Sequence, residues 1–142
     1  MARLLIVDDN PEVVEALSFY FENLDIETKA MTNSLDAINT IKEGKFSPDL
    51  ILLDLAMPDF SGFDVLDEIS KTNDIKGMNI IVLTALALSE EQKDHLQSRG
   101  VKEILGKPIS VDEMDEIAKR KGFAGVFSDR INFVSDSIVA GR

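Results

Sequence analysis

Leu50-Ile51-Leu52-Leu53-Asp54 is a run of four apolar residues closed by an acid, with Pro48 before it and Met57-Pro58 after it. A strand with one wet face alternates apolar and polar residues, and this run does not alternate. It is bracketed by turn residues and is too short for a buried helix, so it reads as a strand covered on both faces. Strands of that kind belong to parallel sheets with helices packed on either side.

The same pattern recurs outward from this run. Leu4–Val7 is a short apolar stretch that meets Asp8-Asp9, and Asn79–Leu83 is another that ends in Thr84. Val101–Leu105 ends near Lys107-Pro108, and Ile26–Met31 is a weaker, partly alternating candidate. Helical patterns fill the gaps. Asn10 suits a helix cap and Pro11 its first turn, followed by Val13, Val14, Leu17, Phe21 and Leu24 at helical spacing. Ser34 opens a second helix with Leu35, Ile38 and Ile41 on one face, and Gly44 ends it. A loop from Leu55 to Gly62 leads into a third helix, Phe63–Ser70. Ser89 with Gln92, and Ser110 with Glu113, form capping boxes for a fourth helix ending at Gly100 and a fifth running to about Lys121. Five strands alternating with five helices predict an α/β fold, a doubly wound five-stranded parallel sheet. In such sheets ligands bind beyond the carboxyl ends of the strands.

Residues 1–121 account for that pattern as one domain, leaving 122–142 as a C-terminal extension. Within it Phe127, Ile131, Val134 and Ile138 are spaced as on a helix face, after a break at Gly122 and Gly125. The extension reads as a further helix on its own domain, a loose tail, a dimer contact, or a linker to an output module. The 142 residues carry no cysteine, which removes disulfides, thiolate catalysis and cysteine zinc sites. A formal charge of -11 disfavours nucleic acid as a direct partner. Residues 1–7 are too short an apolar run for a signal peptide, and no run approaches the ~20 apolar residues of a membrane span. The expectation is a soluble, cytoplasmic protein without membrane contact.

The chemistry gathers at strand ends. Asp8 and Asp9 close the first strand, Asp54 the third, Thr84 the fourth and Lys107 the fifth. Singly, each has an ordinary explanation: Asp8-Asp9-Asn10-Pro11 as a helix cap, Met57-Pro58 and Gly62 as turn chemistry, Lys107 as a surface lysine. Jointly, a doubly wound sheet brings them to one rim. Three carboxylates packed there repel, by about 4 kcal/mol per pair at ~4 Å and an effective dielectric near ~20. Raised pKa values or a bound cation must offset that. Ligands that are all oxygen suit magnesium, which leaves room for a phosphoryl oxygen. A carboxylate nucleophile, a divalent metal, a hydroxyl and an ammonium together suit phosphoryl transfer. His95, the only histidine, reads as an exposed helix residue, and its solitude excludes metal sites built on several histidines.

These residues resemble the receiver domain of two-component response regulators, a flavodoxin-like (βα)5 fold shared with the single-domain chemotaxis regulator. The resemblance lies in Leu5-Ile6-Val7-Asp8-Asp9-Asn10, Leu52-Leu53-Asp54-Leu55-Ala56-Met57-Pro58, Gly62, Leu83-Thr84-Ala85 and Leu105-Gly106-Lys107-Pro108, across about residues 2–121. It implies that Asp54 accepts a phosphoryl group from a histidine kinase or a phosphotransfer protein. It implies that Asp9, Asp54 and the backbone carbonyl of Ala56 bind Mg2+, with Asp8 acting through a metal-bound water. Lys107 would pair with the aspartate or its phosphate, Thr84 would swing toward a phosphoryl oxygen, and Pro108 would follow a cis bond. On this resemblance the chain is a signalling phosphoacceptor, not an enzyme acting on a separate substrate. Dimerisation through the fourth and fifth helices is left open.

The sequence departs from the family pattern in two respects. Ile104 stands where an aromatic residue usually moves with the threonine. Ala56 and Leu86, two positions after Asp54 and Thr84, cannot orient an attacking water, which implies slow self-dephosphorylation. Two other readings remain: a pseudo-receiver that binds partners without phosphorylation, and an aspartyl-phosphate hydrolase. The hydrolase would want Asp-x-Asp after the first strand, where this chain has adjacent acids.

Overall fold

The computed structural model describes residues 2–58, 60–71 and 79–119. Five strands, β1 (Arg3–Val7), β2 (Glu27–Met31), β3 (Leu50–Asp54), β4 (Asn79–Thr84) and β5 (Val101–Gly106), form one sheet in the order β2-β1-β3-β4-β5. Every pairing is parallel. Five helices alternate with them: α1 (Pro11–Glu22), α2 (Ser34–Lys42), α3 (Gly62–Ile69), α4 (Glu90–Ser98) and α5 (Val111–Ala118). This is the doubly wound α/β arrangement that the unalternating runs predict.

The core is split by the sheet into two layers. β3 is buried at all five positions, because its odd and even residues face different layers. Ile51 and Leu53 join Leu5, Val7, Ile80 and Val82 against α2, α3 and α4. Leu50 and Leu52 join Leu4, Ile6, Ile81 and Leu83 against Val14, Leu17 and Phe21 of α1 and Ile117 of α5.

Local chemistry sets the helix starts. Asn10 accepts from the backbone N–H of Glu12 and Val13, with Pro11 at the first helical position. Ser89–Gln92 and Ser110–Glu113 close as capping boxes. Three readings need correction. Leu24 lies beyond the end of α1 and is 45% exposed. Leu35 is 52% exposed, because α2 turns Ser34, Ala37, Ile38, Thr40 and Ile41 inward instead. α3 starts at Gly62, one residue earlier than expected, because Ser61 and Asp64 form a third capping box. Continuation of α5 to Lys121 and the extension 122–142 lie outside the described residues.

Candidate functional site

Parallel register carries the strand-end residues to one rim. Val7 of β1 pairs with Leu53 of β3, so Asp8 and Asp54 leave adjacent strands at the same height. Asp54 pairs with Leu83, and Thr84 with Gly106, which places Lys107 one residue beyond the neighbouring strand. One carboxylate oxygen from each of Asp8, Asp9 and Asp54 lies within 4.8 Å of the others. Lys107 Nζ sits 2.7 Å from Asp8 Oδ2 and 3.5 Å from Asp54 Oδ2. The lysine therefore faces the pocket, and its shorter bond goes to Asp8.

Exposure divides the acids. Asp8 and Asp54 are 1% and 2% exposed, whereas Asp9 is exposed. Asp8 Oδ1 accepts from the Asn10 backbone N–H at 2.9 Å, so its carboxylate caps a turn as well as facing Lys107. Asp54 Oδ1 accepts from the Ala56 backbone N–H at 3.1 Å. Burial pushes the Asp54 carboxyl above the usual carboxylate range. The Ala56 N–H opposes that, the Asp8 charge adds to it, Lys107 opposes it, and Asp9 adds again. Burial lowers the Lys107 ammonium, but the hydrogen bond and charge of Asp8 and the charge of Asp54 leave it raised overall.

Three carboxylates face one ammonium, so two negative charges stay uncompensated when all are ionised. That deficit equals the charge of a divalent cation. The donors that converge are all oxygen, which fits magnesium and not a thiophilic or imidazole-seeking metal.

Thr84 is 2% exposed. Its Oγ1 accepts from the Leu86 backbone N–H at 2.9 Å, and its carbonyl accepts from the Lys107 N–H at 3.0 Å. The threonine thus ties the loop after β4 to the loop after β5. The Lys107-Pro108 bond is cis. Ile104, where the resemblance implies an aromatic residue, is 0% exposed in the layer against α2, α3 and α4. The side chains of Ala56 and Leu86 are both apolar, so neither side chain can hydrogen-bond a water in the pocket.

Sequence reasoning missed two positioning devices. Ser34 Oγ donates to the Phe60 carbonyl at 2.8 Å and so ties α2 to the β3–α3 loop. Ser61 and Asp64 start α3 beside the pocket, and the spacing Ser-x-x-Asp is the signal that was available. His95 stands apart from the site: its Nε2 lies 3.2 Å from Asp67 Oδ1, which also accepts from Arg99 Nε at 2.7 Å. The Arg99 hydrogen bond is the largest cause holding the Asp67 carboxyl below its ordinary value.

The chain is similar to known proteins in sequence and in fold. The family model described as "Response regulator receiver domain" matches residues 4–119. The polar-differentiation response regulator DivK of Brucella anthropi is 28% identical over 82% of this chain and 92% of its own length. A hybrid signal transduction histidine kinase of Dictyostelium discoideum is 31% identical over 88% of this chain but only 8% of its own length. The receiver domain of a sensor histidine kinase from Pseudomonas aeruginosa, solved with a magnesium ion coordinated in its active-site cleft, superposes with a TM-score of 0.72. That match is at 25% identity and covers 87% of this chain and 98% of the other.

Proposed function

Because the chain belongs to the response regulator receiver domain family of two-component signalling, we propose that Asp54 is its phosphoryl acceptor, with a histidine kinase or phosphotransfer protein as donor. The family is a signalling receiver domain, for which phosphorylation and Mg2+ binding are general properties. In this chain Asp8, Asp9, Asp54 and the backbone carbonyl of Ala56 would hold Mg2+. The ion would supply the charge that neutralises phosphoryl oxygens in transfer. The observation carrying the reading is the convergence of Asp8, Asp9 and Asp54 within 4.8 Å, with Lys107 against Asp8 and Asp54.

The chain's own groups divide the work. An Asp54 carboxylate oxygen attacks phosphorus opposite the donor nitrogen. The new O–P bond forms as the P–N bond breaks, and the imidazole leaves with the electron pair and takes a proton. Lys107 already donates to Asp8 and lies near Asp54, so a small movement lets it bond a phosphoryl oxygen. Thr84 Oγ1 accepts from Leu86 N–H, which leaves the hydroxyl hydrogen to donate to that phosphoryl group. Drawing Thr84 inward pulls on the loop from Ala85 to Ser89 and hence on the start of α4. A partner or output module that prefers the moved state takes the signal. With Ile104 buried, the switch works through Thr84 and α4 without a swinging ring. This reading carries with it a cytoplasmic location.

Incubation with a small phosphodonor tests it. One phosphoryl group should appear, only with Mg2+ present, and peptide mapping should assign it to Asp54. Labelling at another residue, or equal labelling in chelator, refutes the assignment; a pseudo-receiver would take no label at all. A second expectation concerns lifetime. With Ala56 and Leu86 beside the site, no side chain there orients a hydrolytic water. The acyl phosphate should persist for minutes or longer with Mg2+ once donor is removed, and decay within seconds would count against that view.

A further inference from the structure

β2 ends the sheet on one side, and among the described residues no strand pairs with its outer edge. Glu27 N–H donates to the Ala2 carbonyl and Asp8 N–H to the Met31 carbonyl, so Glu27 and Met31 turn their main-chain groups toward β1. Along a strand those groups alternate in direction. The N–H groups of Thr28 and Ala30 and the carbonyls of Ile26 and Thr28 therefore point outward. Glu27 and Lys29 are both exposed and share one face of the strand. A polar cleft of about 540 Å³ lies open on that face, between Lys29 and Met31 of β2 and Asp36 and Asn39 of α2. The other edge strand differs. β5 pairs with β4 through a register shift between Ile80 and Ile81, and a bulge blunts an edge. β2 keeps unbroken register over its five residues. We propose that this edge is a contact between two copies of the chain, in which β2 pairs antiparallel with β2 of the second copy about a two-fold axis at Thr28.

Charge selects that occupant and that register. Pairing about Thr28 sets Glu27 opposite Lys29 of the second copy, and Lys29 opposite its Glu27. These are non-hydrogen-bonded positions, where opposed side chains come closest. Pairing about Lys29 would set lysine against lysine, and pairing about Glu27 would set glutamate against glutamate. The outward groups fit the same centre. Thr28 N–H meets the Thr28 carbonyl of the second copy, and Ala30 N–H meets its Ile26 carbonyl, each twice by symmetry. The Ile26 carbonyl accepts from Thr28 Oγ1 at 3.0 Å within its own chain and keeps a second lone pair for the copy. A lysine on an edge repels a copy of that edge; the glutamate two residues before it turns the repulsion into a match. The chain carries -11, so two copies repel over most of their surface, but the exposed charges of β2 balance each other.

Five residues a side make a contact at the small end of specific interfaces, so the dimer is weak and exchanges with monomer. It joins two five-stranded sheets into one continuous sheet. The strand-end pocket stays open, because the contact runs along the sheet's edge and the pocket lies beyond the ends of β1, β3 and β5.

Sedimentation of the full chain at concentrations up to ~1 mM tests the contact. The parent's average mass should climb toward twice the monomer's. Glu27→Lys and Lys29→Glu should each stay monomeric, since each sets like charges opposite one another twice. Glu27→Lys also takes the net charge from -11 to -9, so it should lose the dimer although general repulsion falls. Glu27→Lys combined with Lys29→Glu rebuilds both pairs and should dimerise as the parent does. The chain has no cysteine, so cross-linking gives a second reading. Thr28→Cys should oxidise to a covalent dimer, its two Cα atoms lying ~5.5 Å apart in the pair, and Ser98→Cys at the end of α4 should not. A parent that stays monomeric at ~1 mM overturns the contact. So does a single charge variant that dimerises as the parent does, or a double variant that does not. Cross-linking through Ser98→Cys and not Thr28→Cys would place the contact on α4 instead.

Discussion

Asp54→Asn should leave the chain unlabelled by any phosphodonor and, in metal-free buffer at pH 7, raise its melting temperature. The first effect follows from losing the proposed nucleophile, since an amide oxygen at this position does not form an acyl phosphate. The second follows from burial. Asp54 is 2% exposed, and burial is the largest cause raising its carboxyl above the ordinary value. A raised pKa in the folded chain means that its contribution to stability is full below the unfolded value. That contribution is lost as pH rises through the folded value. At pH 7 the ionised group therefore opposes folding, and a neutral amide of the same shape removes the opposition. The gain should be a few degrees, near the ~2–4 °C that about 1 kcal/mol moves a domain of this size. It should shrink toward zero below about pH 4, where the carboxyl is protonated in both states. Magnesium should raise the melting temperature of the parent chain and do so much less for the variant, because ligand binding stabilises only the state that binds it. Thermal melts at pH 7 and pH 4, with and without Mg2+, check all of this. A lower melting temperature for the variant in metal-free buffer at pH 7 would mean that the ionised carboxylate is well accommodated.

The rim of the sheet could be read from the sequence because each reactive residue follows an apolar run. Leu50–Leu53 and Ile80–Val82 lack alternation, and that signals burial on both faces regardless of what packs there. The partner of Lys107 was beyond reach. Whether it bonds Asp8 or Asp54 depends on sheet register over residues 99 positions apart, and the distances of 2.7 Å and 3.5 Å favour Asp8. Leu35 misled for a related reason. Helical spacing groups it with Ile38, but Ser34 is drawn inward by its bonds to the β3–α3 loop, and that sets which side of α2 faces the sheet. Polar residues in the interior were also invisible: Lys93 in α4 and Glu103 in β5 are 8% and 5% exposed. Apolar periodicity reports the layers, and tertiary hydrogen bonds decide the details of the pocket.

Gly62→Ala should be among the most damaging single substitutions, for want of space and not for want of backbone freedom. A Cβ built on Gly62 would lie 2.5 Å from the Asp54 carbonyl oxygen, 2.8 Å from Leu55 Cα and 2.8 Å from Leu55 Cδ2. Two of those atoms are backbone and cannot rotate away. Leu55 itself is 1% exposed, so its side chain has nowhere to go. Gly62 also donates its N–H to the Leu55 carbonyl at 3.0 Å, which pins the start of α3 against the end of β3. A methyl group must lift α3 or push the Asp54–Leu55 backbone, and overpacking of this kind costs about 1–3 kcal/mol, sometimes more. The displaced atoms carry the Asp54 side chain and the peptide leading to Ala56, so Mg2+ affinity and labelling should fall even where the variant remains folded. Gly44→Ala is the control. Gly44 has a φ of 69° with nothing near the added Cβ, so its substitution strains only the backbone. It should lower stability by roughly 1 kcal/mol and leave labelling intact. Urea unfolding paired with Mg2+-dependent labelling separates the two. If Gly62→Ala unfolded at the parent's midpoint and labelled at the parent's rate, the close approach of α3 to the Asp54 carbonyl would not be what holds the acceptor in place.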